Sequence, residues 1–249
     1  MKSQSQDKID AMREGGKALG RIKAELQNFV QVGTTFEQIE YKAQELIKKA
    51  KMKPSFSTVP GYSWATCVMK NSAVCHGIPQ NNSVSDGDLI TIDIGLINAG
   101  YHLDTTITFS VGTVSADVIE FLETGKKSLK KAIEQAKVGK SVYDISFAME
   151  KPLRKKGYGV VFQLTGHGVG EELHMEPAIP CVPDKSDKKV TLFDGQTLAI
   201  ENMYTMGSPV LEESSDGWTY QTVDGSLSGM FEETVLVTAN GPEVLTKAP

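Results

Sequence analysis

Two aspartates fall at matching places in consecutive strand-like segments, Asp93 within residues 89–97 and Asp104 within 101–109. Asn98, Ala99 and Gly100 between them are turn chemistry. A two-residue turn centred on Asn98 and Ala99 would set the two aspartates directly opposite each other. Strand alternation then sorts the faces. Ile90, Ile92, Ile94 and Leu96 share one with Leu103, Ile107 and Phe109; the other carries Thr91, Asp93, His102, Asp104, Thr106 and Thr108. Opposed like charges destabilise a sheet, so a divalent cation between them is expected. A wet sheet face with two unrelated acids is a common alternative, and the rest of the chain decides between the two.

Three more segments offer ligands. His167 stands between Gly166 and Gly168, where the backbone can approach closely and the imidazole is unobstructed. His174 precedes Met175, Glu176 and Pro177, and could equally hold a turn. Glu201 ends the apolar run Leu198, Ala199, Ile200, where a carboxylate is expensive unless paired or metal-bound. Glu232 and Glu233 alternate along a strand and point to opposite faces, so only one of them can join the aspartates and the other is expected to be silent. Two Asp, one His and two Glu, spread over at least four segments, suit a pair of divalent ions bridged by carboxylates and a water.

These residues need elements to position them. Ile9, Met12, Leu19, Ile22, Leu26 and Val30 recur at helical spacing. After Gly33, Thr34 and Thr35 open a second helix, with Glu37 and Gln38 as capping-box partners. The stretch beginning Val32-Gly33-Thr34-Thr35 is echoed by Val138-Gly139-Lys140-Ser141, an offset of 106 residues. That echo predicts two related halves, each helix-turn-helix followed by sheet, about a pseudo-twofold. Strands are expected at 159–164, 196–204, 218–222 and 230–238. With no flexible linker or low-complexity stretch, 1–249 reads as a single domain with a short tail at 1–8.

Composition narrows the class. The chain is 40% hydrophobic and 23% charged, with a net charge of −5, as in an ordinary soluble globular protein and not a nucleic-acid binder. No apolar run is long enough to span a membrane. The first residues lack the apolar core of a signal peptide. Three cysteines, Cys67, Cys75 and Cys181, with no CxxC pair, fit a reducing cytoplasm.

Taken together, Cys75-His76-Gly77-Ile78-Pro79, Asp93 with Asp104-Thr105, Gly166-His167-Gly168 with His174 and Glu176-Pro177, Ile200-Glu201, Asp216-Gly217-Trp218-Thr219 and Ser226-Leu227-Ser228 with Phe231-Glu232 resemble the type I methionine aminopeptidases. The resemblance runs from about Ile9 to about Leu245. It implies the α+β "pita-bread" fold, with a curved antiparallel sheet between pseudo-twofold-related halves. It implies that Asp93, Asp104, His167, Glu201 and Glu232 bind two divalent metals (Mn, Fe, Co or Zn), Asp104 and Glu232 bridging. A water activated by those metals would attack the first peptide carbonyl, and Glu201 would pass the proton. His76 and His174 would stabilise the tetrahedral intermediate. Tyr62, Cys67 and Trp218 would line the methionine pocket. The implied partners are peptide and nascent-chain N-termini, with transient ribosome association, no nucleic-acid sequence recognition, no membrane and a monomeric state. Two alternatives share the fold: an Xaa-Pro aminopeptidase, and a non-catalytic binder of chain ends. The departures lie beside the ligands. Asn202 stands where proline is usual and Glu233 where histidine is usual, Met175 replaces a common acid, and Ser57-Thr58-Val59-Pro60 has no pocket cysteine.

Overall fold

The computed structural model describes residues 6–248. Four helices pack against antiparallel sheets: α1 (Gln6–Phe29), α2 (Phe36–Lys49), α3 (Ala116–Ile133) and α4 (Val142–Lys155). The first half carries strands β1 (Lys53–Pro54), β2 (Thr66–Lys70), β3 (Ala73–Cys75), β4 (Leu89–Asn98) and β5 (Tyr101–Ser110). The second carries β6 (Gly159–Val160), β7 (Thr165–Gly168), β8 (Met175–Pro180), β9 (Thr197–Thr205), β10 (Leu211–Glu213), β11 (Tyr220–Thr222), β12 (Ser228–Thr238) and β13 (Gly241–Val244).

The echoed segments make the same backbone bonds. Gly33 N donates to Val84 O and Gly139 N to Leu192 O; Val84 N returns to Thr34 O and Leu192 N to Lys140 O. Phe36 N reaches Asn82 O as Val142 N reaches Val190 O. Each second helix has a capping box, Thr35 with Gln38 and Ser141 with Asp144. Glu37, the other capping candidate, instead accepts from Asn81 N at 2.6 Å. One hydrophobic core lies under each half. The pseudo-twofold therefore maps the β4–β5 hairpin onto the β9–β12 pair.

Threonines join the two half-sheets along a seam. Thr105 Oγ1 donates to Glu232 O at 2.8 Å, and Thr108 Oγ1 to Met230 O at 2.8 Å. Thr234 Oγ1 donates to Asp104 O at 2.8 Å and accepts from Asp104 N at 3.0 Å. Side-chain hydroxyls thus do between β5 and β12 what a ladder does within a sheet.

Four expectations change. The β4–β5 turn is centred on Ala99 and Gly100, both at positive φ, and pairs Asn98 with Tyr101. Asp93 therefore faces Thr106, Asp104 faces Gly95, and the aspartates are diagonal neighbours on one face. The 159–164 strand stops at Val160 because the Gln163 side chain ties the segment to Leu211 N at 2.7 Å and Leu211 O at 3.1 Å. The 218–222 strand begins at Tyr220 because Asp216 captures the amides of Trp218 and Thr219 at 2.9 and 2.8 Å. Of the tail 1–8, residues 1–5 lie outside the described residues. Gln6 to Lys8 already belong to α1, where Gln6 donates to Asp10 one turn on and Lys8 is buried.

Candidate active site

Strands β4, β5, β7, β9 and β12 bring Asp93, Asp104, His167, Glu201 and Glu232 into one cavity of about 310 Å³. Those two strand pairs are mapped onto each other by the pseudo-twofold, and Glu201 and Glu232 are direct cross-strand partners. The opposed acids expected in the β4–β5 hairpin therefore occur in the β9–β12 pair. All five side chains are buried.

Within the cluster, Asp104, His167 and Glu232 each offer a ligand atom within 4.8 Å of the others. Asp104 Oδ1 and Glu232 Oε1 are buried without any hydrogen-bond partner. Buried acceptors are seldom left so, and these belong to the two carboxylates that the resemblance makes bridging. Thr106 Oγ1 sits 2.9 Å from Asp93 Oδ1 and 2.8 Å from Glu232 Oε2. A hydroxyl has one proton to give, so without a cation one of those carboxyls must carry its own. Burial drives the carboxyls of Asp104, Glu201 and Glu232 well above the usual range, and their mutual repulsion adds to it. Burial likewise pushes Asp93 up to about 6. Four oxygen donors and one imidazole that cannot comfortably hold four negative charges fit a divalent cation site.

His167 is set for ligation. Its Nδ1 lies 3.0 Å from Gly168 O. A carbonyl only accepts, so Nδ1 carries the proton and Nε2 presents a lone pair to the cavity. Burial lowers its pKa to about 4, so the 3.9 Å approach of Nε2 to Asp104 is a contact with a neutral ring and not an ion pair. The flanking glycines are required by space. A Cβ on Gly166 would stand 2.6 Å from Ala199 O and 3.2 Å from Glu201 Cγ, and one on Gly168 2.3 Å from Glu176 O.

His76 and His174 both border the cavity. Burial lowers both pKa values, so each ring is neutral at pH 7. His174 meets His167 edge-on at 4.6 Å between ring centres. His76 sits at φ 58, a costly conformation for a non-glycine residue that recurs at functional positions. The apolar wall is a small separate cluster of Phe56, Tyr62, Cys67, Met69 and Leu173, with Val59 and Trp218 packed on it. Tyr62 stacks edge-on against Trp218 at 5.0 Å, and its hydroxyl is spent on Thr66 O at 2.8 Å.

Every candidate site residue named from the sequence therefore lines this cavity. Sequence reasoning missed Phe56, Val59, Leu173 and the bridging hydroxyl of Thr106. Alternation had already put Thr106 on the face of Asp104 and missed only its contact with two carboxyls; the apolar residues carry no signal beyond hydrophobicity. Glu233 is not silent. It forms an ion pair with Lys23 of α1 at 2.7 Å, with only 18% of its side chain exposed.

Comparison with known proteins places this geometry. The chain is 36% identical to the methionine aminopeptidase of Clostridium perfringens over 244 residues, covering 97% of each chain. It superposes on the crystal structure of the Thermotoga maritima methionine aminopeptidase with a TM-score of 0.95 at 35% identity, covering 99% of each. A prolidase from Pyrococcus furiosus shares the pita-bread fold at a TM-score of 0.78 and 23% identity, this chain covering 65% of its length. The profile of metallopeptidase family M24 matches residues 10–239, and the chain belongs to that family.

Proposed function

We propose that this protein removes the N-terminal methionine from peptides and nascent chains whose second residue is small. In this reading Asp93, Asp104, His167, Glu201 and Glu232 would hold two divalent cations. The observation that carries it is the meeting of these five buried ligands with a compact apolar wall in one cavity. When bound, such ions polarise the first peptide carbonyl and lower the pKa of water towards neutrality.

The chain's own residues do the rest. Glu201, in the same cavity as the other ligands, would take a proton from the attacking water and pass it to the departing amine. His76 and His174, as neutral rings, each have one N–H to offer the carbonyl oxygen as it gains charge. Phe56, Val59, Tyr62, Cys67, Leu173 and Trp218 give the unbranched thioether an apolar seat. Such a protein would meet its substrates as a monomer in the cytoplasm, at or near the ribosome; among the described residues no helix is long and apolar enough to cross a membrane. An Xaa-Pro activity is disfavoured because its solved representatives are only 22–23% identical to this chain. A non-catalytic role is disfavoured because no ligand has been lost.

The test is turnover of Met-Ala-Ser, Met-Leu-Ser and Ala-Pro peptides with Mn, Fe, Co or Zn restored to stripped protein. Met-Ala-Ser should be cleaved, Met-Leu-Ser poorly and Ala-Pro not at all. N-acetyl-Met-Ala-Ser should resist, since the free amine must be read. Pocket discrimination of about 1–3 kcal/mol per methylene leaves room for some cleavage after Leu or Phe, given the altered 57–67 loop. Preference for Ala-Pro, or no turnover with any of these metals, refutes the reading.

A further inference from the structure

Behind the metal-facing side of the seam lies a buried ion pair that the proposed chemistry does not use. Lys23 on α1 and Glu233 on β12 are 2.7 Å apart, with side chains only 5% and 18% exposed. Both charges stand one layer behind the ligands, since Glu233 follows Glu232 and is turned to the opposite face. Lys23 Nζ also lies 2.7 Å from Thr105 Oγ1, and Thr105 follows Asp104.

The donor directions in this network are forced. An ammonium only donates, so the Thr105 hydroxyl accepts from Lys23. Its single proton is left for the main-chain oxygen of Glu232 at 2.8 Å. The competing acceptor is Glu233 Oε2, at 3.4 Å from the same hydroxyl. That oxygen is already engaged by Thr246 Oγ1 at 2.5 Å, and Thr246 in turn accepts from Thr234 N at 2.9 Å. Thr234 exchanges two bonds with the main chain of Asp104. The network therefore ends on the backbones of Asp104 and Glu232, which come from different half-sheets. Without Lys23 the Thr105 hydroxyl is free to turn to the Glu233 carboxylate, and the tie from β5 to the Glu232 carbonyl is lost.

We propose that Lys23 and Glu233 are positioning residues that clamp the Asp104 and Glu232 backbones at the separation needed for shared metal ligation. This rests on the metal reading above. Stability alone does not account for the pair, because a buried ion pair gains little over apolar residues of the same volume. The network's remaining bonds run to ligand backbones and not to general packing. It also explains why glutamate stands at 233, where the resemblance expects histidine: a lysine beneath it requires an anion.

The experiment measures Mn²⁺ binding to metal-stripped protein by calorimetry and the melting temperature of the same samples. Single variants Lys23→Met and Glu233→Gln should lose both stability and affinity, because each leaves a buried charge unpaired. The double variant Lys23→Met/Glu233→Gln should regain the melting temperature of the metal-free parent. It should still bind Mn²⁺ roughly tenfold more weakly, the lower end of what loss of a ligand-orienting partner costs. Thr105→Val, which keeps the ion pair and cuts the tie, should show the same loss of affinity, and it decides the matter if the double variant fails to fold. Parental Mn²⁺ affinity in the double variant or in Thr105→Val overturns the clamp alone. Failure of the parent protein itself to bind Mn²⁺ overturns the metal reading and the clamp together.

Discussion

Stripped of metal, the protein should lose stability as pH rises, the reverse of most carboxylate-rich domains. An acid whose folded pKa is raised keeps its proton in the native state after the unfolded chain has released its own. Its stabilising effect is then full below the unfolded value and is lost as pH climbs through the folded one. Asp93, at about 6 against an ordinary 3.8, costs on the order of 3 kcal/mol once pH exceeds both. His167 works in the opposite direction. Lowered from 6.5 to about 4, it destabilises the native state by about the same amount as pH falls through that interval. Between pH 4 and 6 these two nearly cancel. The balance is set by Asp104, Glu201 and Glu232, all raised well above their usual values by burial, and it favours the lower pH.

Cation binding inverts this dependence, because only deprotonated carboxylates ligate. The gap in melting temperature between Mn²⁺-loaded and chelator-treated protein should therefore widen from pH 6 to pH 8. Calorimetric titration of Mn²⁺ at pH 6.5, in two buffers of different ionisation enthalpy, should report release of about one proton or more. The Thr106 hydroxyl, shared by two carboxyls with one proton to give, sets that lower bound. A melting gap that does not vary with pH, together with no proton release, would show that the carboxyls are ionised without a cation. The argument from burial would then be refuted.

Two further outcomes separate roles within the site. His167→Ala and Asp104→Asn should lose bound metal, measured by elemental analysis, whereas His76→Ala and His174→Ala should keep it and lose about 100-fold or more in kcat, as when one oxyanion donor is removed. Equal metal loss in His174→Ala and His167→Ala would invalidate the division. Gly166→Ala should lower metal occupancy with little change in secondary structure by circular dichroism, because the added carbon meets Ala199 O at 2.6 Å and the Glu201 side chain at 3.2 Å; full occupancy in that variant would show that the β7–β9 approach has slack.

Much of the site was readable because its ligands sit on strands, where alternation alone assigns a face. Parity put Asp93 and Asp104 on one face and turned Glu232 and Glu233 to opposite faces, whereas Glu201 stood out only as a carboxylate in an apolar run. Parity survives a two-residue shift of register, so the faces stood even though the turn lies at Ala99 and Gly100. What parity cannot fix is which residue lies opposite which. Asp93 was assigned to Asp104, but it faces Thr106. The capping box at Thr35 was visible as local sequence, and so was the repeat that brings Ser141 to the matching position. The strand ends at Val160 and Tyr220 were not, because the side chains that stop them, Gln163 and Asp216, act through tertiary and turn hydrogen bonds. Glu233 was misjudged for a similar reason. Alternation turned it away from Asp104 and Glu232, but only the tertiary pairing with Lys23 shows that the other face is not left to solvent.

The pseudo-twofold explains why the cluster needs both halves. Asp93 in β4 corresponds to Glu201 in β9, and Thr106 in β5 to Glu232 in β12, as their pairings show. The matching position to Asp104 is held by Met230, which also lines the cavity. One half thus supplies two diagonal aspartates and a hydroxyl, the other two opposed glutamates and a thioether. His167 enters only from β7, which pairs with the outer edge of β9. Neither hairpin alone assembles the Asp104, His167 and Glu232 triad; the triad exists because Thr105, Thr106, Thr108 and Thr234 fasten β5 to β12 by hydrogen bonds of 2.8–3.0 Å. A seam made of side chains can be adjusted one residue at a time, whereas a backbone ladder shifts only in whole registers. That difference lets two halves of common plan present unlike ligands at a fixed separation.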